Sequence, residues 1–184
     1  MTHNESGKIL LHIARAAISN ALNIPRTADE SASWLNEPGA CFVTLTQNGQ
    51  LRGCIGSLAA HRSLLNDLKS NAVSAALYDP RFIPLTAQEL KNTKIEISLL
   101  TLPQPMQFKD EADARAQLRP GIDGVVFEFG HHRSTFLPQV WEQLPSPREF
   151  MAHLKRKAGL PEDFWAADVL LSRYLVTKFI EDNQ

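Results

Sequence analysis

The sequence predicts an α+β fold: two similar helix–hairpin–helix–strand units sharing one curved, mainly antiparallel sheet. Three observations lead there. Apolar residues recur at helical spacing in some stretches and alternate strictly in others. Two strand pairs are each closed by a glycine-bearing turn. The order helix, hairpin, helix, strand occurs once in each half of the chain. The reading is a single domain over 1–184 with lobes of roughly 1–102 and 103–184, divided at the proline-containing stretch Leu102–Gln107.

Taken in order, Ser6 to Asn23 reads as a helix, with Ile9, Ile13, Ala16, Ala17 and Ala21 at helical spacing and Pro25 as the stop. Cys41 to Thr46 reads as a strand. Asn48-Gly49 is a two-residue hairpin signal, because both residues tolerate positive φ. A second strand then runs to Ile55. His61 to Tyr78 is a helix with Leu64, Leu65, Leu68, Ala72 and Ala75 on one side, ended by Asp79-Pro80. Thr86 to Glu89 has the form of a capping box. Lys94 to Leu100 alternates, with Ile95, Ile97 and Leu99 inward. In the second half, Asp110 to Leu118 is a short helix and Gly124 to Leu137 a hairpin turning near 130–133. Pro138 to Ala158 is mostly helical, with breaks at Pro145 and Pro147 and a cap at Gly159. Val169 to Phe179 is one final strand.

Composition excludes several classes. The chain has 184 residues, 43% hydrophobic and 21% charged, with a formal net charge of −1. Such a balance attracts neither nucleic acid nor an anionic membrane, so neither is expected as a partner. His12 and Arg15 interrupt the first apolar stretch, so no signal peptide is expected, and no run reaches the length of a membrane span. Two cysteines form no disulfide framework. Reduced thiols in the cytoplasm fit best.

The densest chemistry lies in Leu51-Arg52-Gly53-Cys54-Ile55-Gly56. With a simple hairpin register, Leu45 faces Arg52 and Val43 faces Cys54. Arg52 and Cys54 then share a strand face about 6.6 Å apart, at roughly 3.3 Å per residue. An arginine so placed favours thiolate over thiol. Gly53 and Gly56 remove side chains beside the sulfur and permit close approach of a ligand or another backbone. The structural alternative is a cysteine packed as a small hydrophobe. Asp79-Pro80-Arg81-Phe82 puts an acid and an arginine in one turn. It reads either as a helix stop with an ion pair or as an anion clamp.

These blocks carry a resemblance. Leu51–Gly56 resembles the signature hexapeptide of the AMMECR1 domain. Asp79–Phe82, Thr135–Val140 and Lys157-Ala158-Gly159 continue it in the family's order, over roughly Leu10 to Phe179. Ser134 and Asp123 depart from residues common in the family at the second loop. Bacterial members are similar to component A of the AmmeMemoRadiSam system, and that similarity implies a bacterial protein with Memo-like and radical-SAM proteins as partners. The resemblance implies the α+β fold above and a site. It supplies no reaction and no cofactor.

Other motifs are weaker. His131-His132-Arg133 suggests metal or proton transfer, but no second ligand pair is spaced for it, and no metal is assigned. Lys155-Arg156-Lys157 suits a helix C-terminus better than a nucleic-acid stripe. No nucleophile elbow, phosphate loop or dinucleotide fingerprint is present.

Two functions follow. In the first, Cys54 and Arg52 are catalytic in a thiol-dependent enzyme. Gly53, Gly56, Asp79, Arg81, Thr135 and Gln139 line a cleft for a small anionic molecule. In the second, the chain is a non-catalytic protein-binding module.

Overall fold

A hairpin of two positive-φ residues organises the first sheet of the computed structural model, which describes residues 3–182. Asn48 and Gly49 adopt φ of 50° and 77°, the mirror-image turn that matches strand twist. They join β1 (Pro38–Gln47) to β2 (Gln50–Gly56). Cys41, Val43 and Leu45 of β1 are fully buried, as strict alternation requires.

The register departs from expectation after the turn. Gln47 does face Gln50, and Thr46 faces Leu51, but Leu45 faces Gly53. Arg52 is therefore an extra residue, a β-bulge, and everything beyond it shifts by one. Cys54 consequently faces Thr44, not Val43.

The chain forms two compact units. The first comprises the residues up to Leu100 together with those from Thr177 onward; the second is Thr101–Val176. The first contains α1 (His3–Ala21), the hairpin, a two-residue β3 (Arg62–Ser63), α2 (Leu64–Leu77), α3 (Ala87–Leu90) and β4 (Lys94–Leu100). Helix α1 ends where Asn23 turns left-handed at φ 59°, with the Ile24 N–H returning to the Ser19 carbonyl and Pro25 just beyond. Ser63 caps α2, and Thr86 with Glu89 forms the expected capping box on α3. The core joins Leu10, Ile13 and Ile18 of α1 and Leu68, Ala72 and Ala75 of α2 to Val43, Leu45, Ile95 and Ile97 of the sheet.

The second unit contains β5 (Gln104–Pro105), α4 (Glu111–Gln117), β6 (Gly124–Phe129), β7 (His132–Phe136), α5 (Pro147–Lys157) and β8 (Leu170–Tyr174). Pro138–Glu142, expected as part of one long helix, is a separate 3-10 turn before α5. Phe127, Phe150, Met151 and Leu154 fill this unit's core, where Trp141 stacks on Phe150 at 3.7 Å.

The expected single sheet is two sheets. One runs β2-β1-β4-β9, where β9 is Val176–Ile180, with β3 also on β1; the other runs β5-β8-β6-β7. The cause lies in the C-terminal stretch, expected as one strand. Its first part, β8, pairs with β5 and β6. The chain then breaks at Leu175, and β9 (Val176–Ile180) joins β4. In the first sheet β1 sits between β2 and β4, and in the second β6 sits between β7 and β8.

Candidate functional site

Strand β2 lies at the edge of its sheet, where alternate backbone groups lack a neighbouring strand. At Cys54 the Asp79–Phe82 turn supplies one. Asp79 accepts the Cys54 N–H at 2.9 Å, and Arg81 donates Nη2 to the Cys54 carbonyl at 3.2 Å. The turn forms because Pro80 forbids continuation of α2 and suits the second position of a β-turn. The Phe82 N–H closes it onto the Asp79 carbonyl at 3.1 Å.

Asp79 is 4% exposed and fully occupied. Besides Cys54 it accepts the Arg81 N–H at 3.1 Å, Nε at 3.0 Å and Nη2 at 2.7 Å. The Arg81 side chain, then the Cys54 and Arg81 amides, hold its carboxyl far below the usual carboxylate range and outweigh desolvation. Arg81 is raised in turn by its hydrogen bonds to Asp79. Its side chain is 54% exposed, and its guanidinium lies 5.5 Å from the Phe82 ring. Among the described residues, Nη1 has no hydrogen-bond partner.

Both cysteines are free thiols, in contrasting settings. Cys54 is half-buried and accepts a hydrogen bond from the Thr44 hydroxyl at 3.3 Å. Cys41 is fully buried. Desolvation, reinforced by the charge of Asp67, pushes its thiol far up. Asp67 is 1% exposed and accepts from the Cys41 N–H at 2.9 Å, Ser57 at 2.6 Å, Arg62 at 2.9 Å and Asn71 at 2.9 Å. That network welds α2 to the sheet and makes Cys41 inert.

The remaining predicted residues have distinct places. Arg52 does not turn to the sulfur. Its Nε and Nη2 bond Glu89 at 3.3 and 3.2 Å, tying the bulge to the cap of α3. The cation beside Cys54 is Arg81. Gly53 faces inward: a Cβ there would meet the Ala75 carbonyl oxygen at 2.1 Å, so glycine admits the backbone of α2. A Cβ on Gly56 would meet the Phe42 ring at 2.2 Å, so Gly56 seats that ring. Both glycines thus serve close approach within the fold. Thr135 and Gln139 lie in the second unit. Thr135 is buried and shares a 3.0 Å hydrogen bond with the Tyr174 hydroxyl, while its carbonyl accepts Lys157 Nζ at 2.9 Å. Gln139 is exposed on the 3-10 turn. His132 is half-buried and donates Nδ1 to the Ala158 carbonyl at 2.9 Å, closing α5 where Gly159 has φ 83°. Among the described residues no group of three His, Cys, Asp or Glu is placed to hold a metal ion. No described helix is long and apolar enough to cross a membrane.

Thr44 and the Asp67–Asn71 pair escape the sequence reading. The bulge hides Thr44. The pair does leave a signal: two polar residues four apart on the inward side of α2.

The AMMECR1 family model matches residues 11–179. A protein of Methanothermobacter thermautotrophicus is 36% identical, over 97% of this chain and 96% of its own. Protein MJ0810 of Methanocaldococcus jannaschii is 37% identical, over 89% and 84%. Among solved structures, the uncharacterized protein PH0010 of Pyrococcus horikoshii superposes with a TM-score of 0.77. It shares 30% identity, over 97% of this chain and 93% of that one. These relatives are archaeal, which corrects the bacterial affiliation expected above. With a family model spanning nearly the whole sequence and relatives aligned over most of their length, the chain belongs to the AMMECR1 family.

Proposed function

We propose that the first unit is a thiol-dependent enzyme for a small anionic molecule, with Cys54 as nucleophile and Arg81, in place of Arg52, as the anion anchor. One observation carries this reading. The half-exposed Cys54 sulfur accepts the Thr44 hydrogen bond while the half-exposed Arg81 guanidinium is bonded to the same residue's carbonyl. The sulfur is half-exposed and so open to an incoming molecule, and thiolate is the reactive form of a cysteine. The backbone clamp holds the sulfur on a rigid strand, and Arg81 Nη1 is the donor left for a carboxylate or phosphate. Reduced thiols suit a cytoplasmic setting.

Paired alkylating reagents test it. Iodoacetate carries the anionic group and iodoacetamide does not, so the ratio of their rates at Cys54 reads anion capture directly. Arg81→Ala should lower that ratio severalfold and Arg52→Ala should leave it unchanged. A ratio insensitive to Arg81 removes the anion site, and a sulfur that resists both reagents removes the enzyme. A second reading has its own support: Tyr78 and Ile83, on either side of the clamp, are 70% and 77% exposed. Large apolar side chains so placed suit a protein partner. The Memo-like and radical-SAM proteins implied by the resemblance are the ones to test, with Tyr78→Ser and Ile83→Ser in pull-downs.

A further inference from the structure

We propose that the groove between α4 and α5 in the second unit binds a compact anion through a phosphate or carboxylate group. The starting observation is Lys155. Its side chain is only 2% exposed, in a chain whose other lysines stay near water, and burying an ammonium requires acceptors. Nζ bonds Glu111 Oε1 at 2.9 Å and the Phe164 carbonyl at 3.0 Å, which uses two of its three donors. A cavity of about 310 Å³ opens beside it, also lined by Arg115, Arg148, Glu162 and Asp163.

A purely structural role accounts for part of this. The Lys155–Glu111 pair ties α5 to α4, and the Phe164 carbonyl fastens the following loop. It does not account for the arginines. Arg115 in α4 and Arg148 in α5 have no side-chain partner among the described residues, yet both point at the same cavity. Arg148 sits in the first turn of α5, where the helix dipole disfavours a cation. Helix stability therefore gives no reason for it. The facing carboxylates do not neutralise the groove: Glu111 is bonded to Lys155, and Glu162 pairs with Arg156. Two unpaired guanidinium groups remain against the single carboxylate of Asp163. Planar guanidinium forks match phosphate and carboxylate oxygens, and the volume suits a small molecule.

Nuclear magnetic resonance titration of the whole chain tests this, with inorganic phosphate in one arm, acetate in a second and chloride at matched ionic strength in a third. The expected result is saturable shifts at the Arg115, Arg148 and Ala152 amides, with a dissociation constant of about 1 mM or tighter. The Arg115→Ala, Arg148→Ala double variant should weaken binding at least about tenfold, some 1.4 kcal/mol. Arg148→Gln alone, at an exposed position, should weaken it severalfold. A response to phosphate or to acetate only would identify the group recognised. The proposal fails if neither anion saturates, if chloride reproduces the shifts, or if affinity is unchanged in both variants.

Discussion

Gly53→Ala adds one methyl group to the signature hexapeptide, and the structure predicts a large effect. The new Cβ would stand 2.1 Å from the Ala75 carbonyl oxygen and 3.1 Å from its carbon, where ordinary contact begins near 3.4 Å. The obstacle is helix backbone, so no rotamer relieves it. Strand β2 and helix α2 must part by on the order of 1 Å, which loosens every contact between them. Those contacts are core: Leu68, Ala72, Ala75 and Ala76 of α2 are all buried. Overpacking costs about 1–3 kcal/mol, and a rigid obstacle belongs at the top of that range. For a chain of this length about 3 kcal/mol lowers the melting temperature by roughly 6–12 °C. Cys54→Ser changes a half-exposed side chain and should stay within about 1 kcal/mol. Because the chain has two cores, melts followed by circular dichroism need hydrogen exchange at α2 and β1 amides beside them, to place the loss in the first unit. If Gly53→Ala melts with Cys54→Ser and wild type, the close approach of α2 is not what requires glycine.

Native protein should incorporate one equivalent of iodoacetamide, at Cys54, and unfolded protein two; labelling of Cys41 in the native state would contradict its burial beside Asp67. Asp79→Asn should cost about 2 kcal/mol near neutral pH, since hydrogen bonds to a charged group are lost. Asp79 is depressed in the folded state, so its stabilisation is complete above the ordinary carboxylate pKa of about 3.9 and is lost as pH falls below it. The gap between wild type and Asp79→Asn should accordingly narrow in melts run from pH 7 to pH 3, and a constant gap would show the charge to be irrelevant. Arg81→Lys should behave as a loss of function rather than a conservative change: one ammonium cannot span both Asp79 oxygens and the Cys54 carbonyl. Its iodoacetate-to-iodoacetamide ratio should fall toward that of Arg81→Ala. Lys157→Met should cost about 1 kcal/mol by losing the Thr135 carbonyl bond and the Phe136 ring contact, read as a shift in chemical denaturation.

Elements determined by neighbours in sequence were legible. The Asn48-Gly49 turn, the Thr86–Glu89 capping box, the alternation of Lys94–Leu100 and the stop at Asp79-Pro80 each depend on a few adjacent residues, and each is present. What was not legible depends on distant pairing. The bulge at Arg52 adds one residue to β2, and nothing local distinguishes it from an even ladder. Because strand faces alternate, that single residue exchanges the partner of Cys54 and redirects Arg52 to Glu89, 37 positions away. The break at Leu175 is equally silent: Val169–Phe179 has the composition of one strand, but its two parts belong to different sheets. The clamp was half legible. Asp79 and Arg81 stood out as a pair, while their target, the backbone of Cys54, required the fold.

The Asp79–Arg81 pair seals the outward N–H and C=O of Cys54, which any exposed edge strand must have satisfied to avoid pairing with another chain. A neutral pair of side chains could do that. Asparagine offers both an acceptor and a donor, and water serves most edges. Here the sealing groups are a buried carboxylate and a guanidinium whose outer half is exposed, so the edge is closed in a way that also leaves a cation beside a half-exposed sulfur. Gly53 and Gly56 meanwhile turn their missing side chains toward α2 and Phe42, which fixes the strand without crowding Cys54 itself. The hexapeptide therefore divides its work by face and by position. The glycines set the backbone, Arg52 anchors the bulge, and Cys54 alone among the six combines backbone bonds to the clamp with a side chain that reaches water and receives the Thr44 hydroxyl. A purely structural cysteine needs neither the cation nor the hydroxyl, as Cys41 shows thirteen residues earlier in the same hairpin: it is sealed, inert and bonded to a carboxylate. The contrast between those two sulfurs, more than the presence of either, favours chemistry at Cys54.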